Sequence, residues 1–333
     1  APVPIPAAGP SASPADRVRI GLWGAPRSGK TTYLAALPIS AMQHHRYGDG
    51  NWVISGMNQE SNRFLSDGVN ELAVQRLFPD ASVGVQSLSW SFQGEEAPAG
   101  PFRRRREVSF VLEVQDVAGE VYQWDENNPL CQRVLDQLAH SQGLIYLFDP
   151  LHDDPQTSQG GVSGLDNLNF FYAMLNALNA RVRDAGGLHR NRLPHHVSVC
   201  VTKFDHPDVF RPAVENGWVT QDSEGHRLPR VPAKKAAAFF EWMCDVYRGS
   251  TARLVRDGLG AFFHAERISY YVSSAIGFRL NPQQIFDYRN YLNVEINDGI
   301  PRICTSPVPM NVLEPLIDME RRIRDDRRRR RPW

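Results

Sequence analysis

Cysteine is scarce in this chain. Its 333 residues hold four, Cys131, Cys200, Cys244 and Cys304, far apart and with no C-x-x-C pair. That argues against a disulfide framework or a zinc site and for a reducing, cytoplasmic setting. No apolar run approaches the ~18 residues of a membrane span, so no transmembrane segment is expected. Net charge is absent as well: 37 Lys and Arg balance 37 Asp and Glu. The global balance therefore gives no sign of a nucleic-acid or membrane-surface partner. The opening stretch APVPIPAAGPSASPAD has neither a basic lead nor an apolar centre, so it is not a signal peptide. Residues 1–16 read instead as a flexible Pro/Ala-rich leader, of the kind that joins parts of a longer polypeptide. There is no internal repeat.

Local exceptions have plain explanations. Arg103 to Arg106 reads as a solvated hairpin tip. The closing run RRIRDDRRRRRPW reads as a frayed, solvated helix end, with contact to RNA, acidic lipid or a protein as the other reading. His44-His45 and His195-His196 are poor metal pairs, because adjacent residues do not share a face of a helix or strand.

What is present is a core. Hydrophobic residues make up 42% of the chain and aromatics 10%, enough for one enlarged domain or two ordinary ones. RVRIGLWG (17–24) reads as a first strand, followed by a helix from Lys30 to Leu37 that Pro38 should stop. A helical stretch with Leu65, Val69, Leu72 and Leu77 on one face lies inside the otherwise unassigned 38–80. The runs 82–93 and 106–119 flank GEEAPAGPFRR and predict a hairpin. Beyond it, apolar strands at 143–150, 195–205 and 267–277 alternate with helices at 130–140, 166–186, 232–258 and 311–326, while 206–231 reads as an inserted loop. The aromatic pairs Phe170-Phe171, Phe239-Phe240 and Phe262-Phe263 read as packing residues. The alternation predicts an α/β sandwich, mostly parallel with one antiparallel strand.

Four short stretches carry chemistry, each at a strand end. The first is Gly24-Ala25-Pro26-Arg27-Ser28-Gly29-Lys30-Thr31, a complete G-x-x-x-x-G-K-[ST] between strand and helix. Backbone N–H groups of such a turn converge on a phosphate, aided by the positive end of the helix. Lys30 can bridge β- and γ-phosphates, and Thr31 can offer its hydroxyl to Mg²⁺, with Thr32 next in the helix. The second is Asp116-Val-Ala-Gly119-Glu120: Asp116 can hold the metal, and the Gly119 N–H can sense a γ-phosphate. The third is Thr202-Lys203-Phe204-Asp205. The carboxylate of Asp205 can accept from guanine N1–H and N2–H₂, a donor pair that adenine lacks, while the Lys203 stem lies along the base. The fourth is Ser273-Ser274-Ala275, where a backbone N–H near Ala275 can donate to guanine O6.

GAPRSGKT, DVAGE, TKFD and SSA, in that order, resemble the first, third, fourth and fifth sequence boxes of Ras-like P-loop GTPases. LFPDAS before a hairpin and NVLEPLIDM in the last helix are similar to the bacterial double-GTPase group. The resemblance implies a three-layer α/β/α P-loop NTPase fold over 17–326, enlarged by insertions at about 38–80, 206–231 and 278–307, with a basic tail at 327–333. It further implies GTP or GDP with Mg²⁺, and a protein effector or GTPase-associated partner. The chain departs from the family pattern at several points. Lys30 and Asp116 lie 86 positions apart, so the switch I region carries an insertion, and Ser82 is the candidate metal residue there. Thr202 stands where Asn is commoner. Glu120 stands where a water-orienting Gln is frequent, which implies slow intrinsic hydrolysis completed by a partner. Arg27 could neutralise transition-state charge, although solvent exposure is the commoner fate of such a residue.

Three functions are compatible with this pattern. One is a GTP-hydrolysing switch with Lys30, Glu120 and Arg27 near the chemistry. Another is a nucleotide-binding interaction module with little turnover. The third is an ATP-using P-loop protein, for which Asp205 should not affect nucleotide choice.

Overall fold

The structure, a computed structural model, describes residues 17–44, 50–80, 85–96, 106–117, 127–151, 164–247 and 250–330. In chain order the elements begin with β1 (Val18–Gly24), α1 (Lys30–His44), β2 (Trp52–Gly56) and α2 (Gln59–Val69), which runs on into a π-helical turn (Asn70–Gln75). They continue with β3 (Val85–Glu96), β4 (Arg106–Val117), α3 (Pro129–His140), β5 (Gly143–Phe148), α4 (Gly164–Asp184), β6 (His196–Val201) and α5 (Pro207–Glu215). After these come β7 (Thr220–Gln221), β8 (Pro229–Arg230), α6 (Ala236–Trp242), α7 (Ser250–Phe262), β9 (Ile268–Val272), β10 (Val294–Asn297), β11 (Ile300–Ile303) and α8 (Glu314–Arg330).

A seven-stranded sheet in the order β2-β3-β4-β1-β5-β6-β9 divides the protein. β4, β1, β5, β6 and β9 are parallel, and β3 alone runs against its two neighbours. Alternation along each strand feeds two cores. In β5, Leu144, Tyr146 and Phe148 point to one side with α3, α4, α6 and α7. Ile145 and Leu147 point to the other side, with α1 and α8. β1 divides likewise, Ile20 and Leu22 facing α1 while Trp23 stacks on Phe171 of α4. Both faces of the sheet are thus covered, which gives the three-layer α/β/α fold of P-loop NTPases. The aromatic pairs contribute as packing residues, with Phe171, Phe239, Phe240 and Phe263 fully buried.

The structure differs from the sequence-based expectation in several elements. α1 does not stop at Pro38 but runs through it to His44. The helix gives up one backbone hydrogen bond there, and burial of Leu34, Leu37, Ile39 and Ala41 outweighs that loss. The segment 206–231 is not a plain loop: it holds α5, with Pro207 at its first position, and the small β7–β8 hairpin. β2 was not anticipated and forms the outer edge of the sheet beside β3. β9 closes the central sheet, and two strands not anticipated from the sequence, β10 and β11, follow it as a separate hairpin.

Parallel pairing matters most for function, because it places strand C-termini at one rim of the sheet. Register sets Gly24 beside Leu147, Leu147 beside Cys200, and Val201 beside Val272. The loops that follow β1, β5, β6 and β9 therefore leave the sheet side by side. Among the described residues, no helix is long and apolar enough to cross a membrane.

Candidate functional site

The loop after β1 is tightly wound. Ser28 N donates to Ala25 O at 3.2 Å, closing a turn with Pro26 and Arg27 at its centre. Arg27 takes φ 62° and Gly29 φ 88°. Proline suits the first central position of such a turn, whereas a left-handed second position normally selects glycine, so Arg27 holds about 1 kcal/mol of strain. Gly24 has a separate reason to be glycine. A Cβ there would meet Ser28 Oγ at 2.8 Å and Leu147 O at 2.9 Å. Lys30 opens α1 and folds its Nζ back onto the loop, donating to Gly24 O and Ala25 O at 3.0 Å each. The Arg27 side chain is exposed.

The loop after β6 grips the first one. Thr202 is buried, and its hydroxyl lies 3.3 Å from Ser28 O and 3.1 Å from Phe148 O, sharing its proton between them. Lys203, at φ 57°, donates through Nζ to Arg27 O at 3.3 Å and to Asp149 Oδ2 at 2.5 Å. Asp149 follows β5, and its side chain is only 2% exposed. Its other oxygen accepts from Leu151 N at 3.0 Å. Two residues on, Asp205 Oδ1 accepts from Ser274 Oγ at 2.5 Å. Burial pushes the Asp205 carboxyl above its ordinary value, against the opposing pull of Ser274. Ser274 is itself fully buried and receives Gly277 N at 2.8 Å.

These loops bound one cavity of about 560 Å³. Arg27, Ser28, Gly29 and Thr32 line it from the first loop, Thr202, Lys203 and Asp205 from the second, and Ser273 and Ala275 from the third. A cavity of this size suits a nucleotide-sized ligand, since small-molecule sites run to ≈ 300–1,000 Å³. Thr31 lies outside it and lines a neighbouring cavity of about 710 Å³ with Glu60, Asp67 and Asp80. Asp116 is a residue of β4, in register with Gln86 of β3. In β1 and β4 the register pairs Gly21 with Glu113, each three residues ahead of Gly24 and Asp116 in its own strand. Gly119, Glu120 and Ser82 lie outside the described residues. Among the described residues, no group of three or more His, Cys, Asp or Glu could hold a metal ion.

Two parts of the site were not found by reading the sequence. Asp149, the partner of Lys203, sits in LFDP directly after a buried strand, the position at which the other three loops carry their chemistry. The outer wall is formed by Phe78, Leu292, Asn293, Val294, Ile296 and Pro301. Its signal was Asp298-Gly299 between β-forming runs, a strong two-residue hairpin cue.

No protein-family model matches the chain, and no curated protein matches its sequence. Solved structures do match. One is described as nucleolar GTP-binding protein 1 from Plasmodium falciparum, at 12% identity and TM-score 0.37, covering 94% of this chain and 89% of that one. Another is the signal recognition particle receptor SRb-GTP/SRX complex from Chaetomium thermophilum, at 14% identity and TM-score 0.33, covering 78% and 92%. A third is sup35 complexed with GDP, at 9% identity and TM-score 0.29, covering 81% and 41%. At these TM-scores the likeness carries no argument, and the site stands on its own geometry.

Proposed function

We propose that this α/β protein of P-loop NTPase fold is a GTP-binding switch that hydrolyses GTP to GDP and phosphate with Mg²⁺. One observation carries the reading: the phosphate-type loop and the Thr202–Asp205 and Ser273–Ala275 loops line a single cavity. In this reading the two ends of the cavity would receive the two ends of a guanosine polyphosphate, with Arg27, Ser28 and Gly29 lining it on the phosphate side and Lys30 set behind them in the same loop. At one end, the backbone of Gly24–Thr31 and the Lys30 ammonium would take the phosphates. At the other, Asp205 would accept from the guanine N1–H and N2–H₂, its carboxylate oriented by Ser274, with the Lys203 stem along the base and the Ala275 N–H toward O6.

Thr31 and Asp116 would hold Mg²⁺, with Ser82 as the third candidate. When bound, the ion neutralises charge on the β- and γ-phosphate oxygens. The chain's own part in hydrolysis is positioning and charge neutralisation by Lys30 and the loop amides, with Arg27 placed to help. Gly119 would sense the γ-phosphate. Glu120, in place of a water-orienting Gln, supports a low intrinsic rate raised by a protein partner. It equally supports the second reading, a guanine-nucleotide-binding interaction module with little turnover. Within its class, the resemblance of LFPDAS and NVLEPLIDM is to the bacterial double-GTPase group.

The first test is the nucleotide found in purified protein, followed by calorimetry with GDP, GTP and ATP. Binding of guanine nucleotides alone supports the reading, and no heat with any guanylate at millimolar concentration ends it. Single-turnover phosphate release that is abolished in Lys30→Ala separates the hydrolase from the binding module.

A further inference from the structure

We propose that the β10–β11 hairpin is a nucleobase clamp, a binding subsite that this chain adds to its phosphate and base loops. The proposal rests on the guanine-nucleotide reading of the cavity. Val294, Ile296 and Pro301 of the hairpin line the same cavity as Lys203, Asp205 and Ala275. The hairpin belongs to a two-stranded sheet of its own and contributes nothing to the central sheet.

Its root is fixed from two sides. Asn293, only 2% exposed, accepts from Thr305 N and Thr305 Oγ1 at 2.9 Å each. Its amide donates to Ile276 O at 3.1 Å, one residue beyond Ala275. On the other side, Ile303 N donates to Arg76 O and Arg76 Nη1 donates to Cys304 O, both at 2.9 Å. Phe78, two residues after Arg76, also lines the cavity. The loop after β9 and the Arg76–Phe78 segment are therefore joined through the hairpin.

The tip has the opposite character. Asp298 and Gly299 turn with φ 52° and 78°, the backbone of a tight two-residue hairpin loop. Beside that turn Ile296, on the hairpin face it shares with Val294 and Pro301, is 75% exposed. A fixed root and an exposed apolar tip at the cavity mouth suit a flat apolar ligand face. A purine bound by Asp205 has such a face, and covering Ile296 with it removes apolar surface from water. The phosphate end of the nucleotide gains nothing from these side chains.

The test compares dissociation of radiolabelled GDP from wild type, Ile296→Asp and Ile296→Leu, each first checked by thermal melting. Ile296→Asp should release GDP about tenfold faster, the change expected from losing part of one isoleucine's burial. Ile296→Leu should stay near wild type. Val294→Ser serves as a second variant, with the same direction and a smaller change. A folded Ile296→Asp that releases GDP at the wild-type rate overturns the clamp, as a hairpin serving only to dock a protein would. Wild type that takes up neither GDP nor GTP overturns the guanine-nucleotide reading and the clamp with it. Wild type that binds, with binding lost in Asp205→Asn but unaltered in Ile296→Asp, removes the clamp alone.

Discussion

Replacing Asp205 by Asn tests base recognition with the smallest change of shape. In the protein, Asp205 Oδ1 accepts from Ser274 Oγ, and the carboxyl also accepts from its own backbone N–H, so Oδ2 is the oxygen through which a ligand would be read. Guanine presents two donors side by side, N1–H and N2–H₂. Hydrogen bonds to a charged group are worth ~1.5–3 kcal/mol each, and a buried donor left facing another donor costs a similar amount. Asparagine keeps one acceptor oxygen and puts an NH₂ where the second stood. A loss of about 3–4 kcal/mol follows, or roughly two to three orders of magnitude in the dissociation constant. The fold should tolerate the change, because burial already disfavours the charged form of Asp205. Calorimetry with GDP, GTP and ATP measures the effect. Xanthosine diphosphate is the informative fourth ligand: it carries a carbonyl where guanine has its amino group, so the amide NH₂ of the variant can pair with it. The variant should lose GDP and gain the xanthine nucleotide. A folded Asp205→Asn with unchanged GDP affinity, or wild type binding ATP as well as GTP, refutes the reasoning.

Three further outcomes follow from the same geometry. Lys30→Ala should weaken GDP and GTP about tenfold to a hundredfold in equilibrium binding, the worth of its charge-assisted hydrogen bonds, while shifting the melting temperature little. Asp149→Ala removes a carboxylate 2% exposed from a Lys203 side chain 35% exposed. A fully buried pair broken in this way costs ~3–5 kcal/mol, and the partial exposure of Lys203 reduces that to about 2 in urea unfolding. Stability should also fall on acidification. Burial, reinforced by nearby Arg267 for both and Arg322 for His196, lowers His195 and His196 to about 4 from an ordinary 6.5. The unfolded chain then binds protons that the native state refuses, so stability is full above pH ~6.5 and drains away toward pH ~4, by up to about 3 kcal/mol per histidine. Denaturant midpoints at pH 7 and pH 5 measure the slope, and His195→Gln should flatten it.

The fold was legible where a residue's local preference and its tertiary role agree. GLIYLF and HVSVCV are buried on both faces, so each reads as a continuous apolar run that only an interior parallel strand accommodates. The hairpin of β3 and β4 carried its own turn chemistry. Legibility failed where packing overrode local chemistry. Pro38 signals a helix stop, yet α1 is held by the apolar residues on either side of it. Trp52–Gly56 is a five-residue edge strand in which Val53, apolar but exposed, hides the alternation from the sequence. The site divides in the same way. Spacing alone marks Gly24–Thr31, because a phosphate cradle needs a fixed count of residues. Asp149 carries no spacing of its own, and its importance arises only when β5 and β6 pair and bring it to Lys203. The hairpin wall is remote in sequence from every motif it joins.

Three features of the phosphate-type loop point to a structure poised for an anion. Arg27 holds a left-handed backbone that glycine would adopt more readily. Ser28 Oγ is fully buried and, among the described residues, has no hydrogen-bond partner. A buried hydroxyl left in that state costs ~1–3 kcal/mol. Lys30 spends donors on Gly24 O and Ala25 O, carbonyls of its own loop. What keeps the loop in this shape comes from outside it: Thr202 and Lys203 reach Ser28 O and Arg27 O from the loop that carries Asp205. The Thr202–Asp205 loop thus braces the Gly24–Thr31 loop, so that displacing one strains hydrogen bonds held by the other. A ligand that engages both ends gives Lys30 a stronger acceptor and locks the brace. One that engages a single end leaves the other end's strain in place. GDP should therefore raise the melting temperature by more than guanosine and pyrophosphate supplied together at equal concentration, and equal shifts would show that the brace transmits nothing.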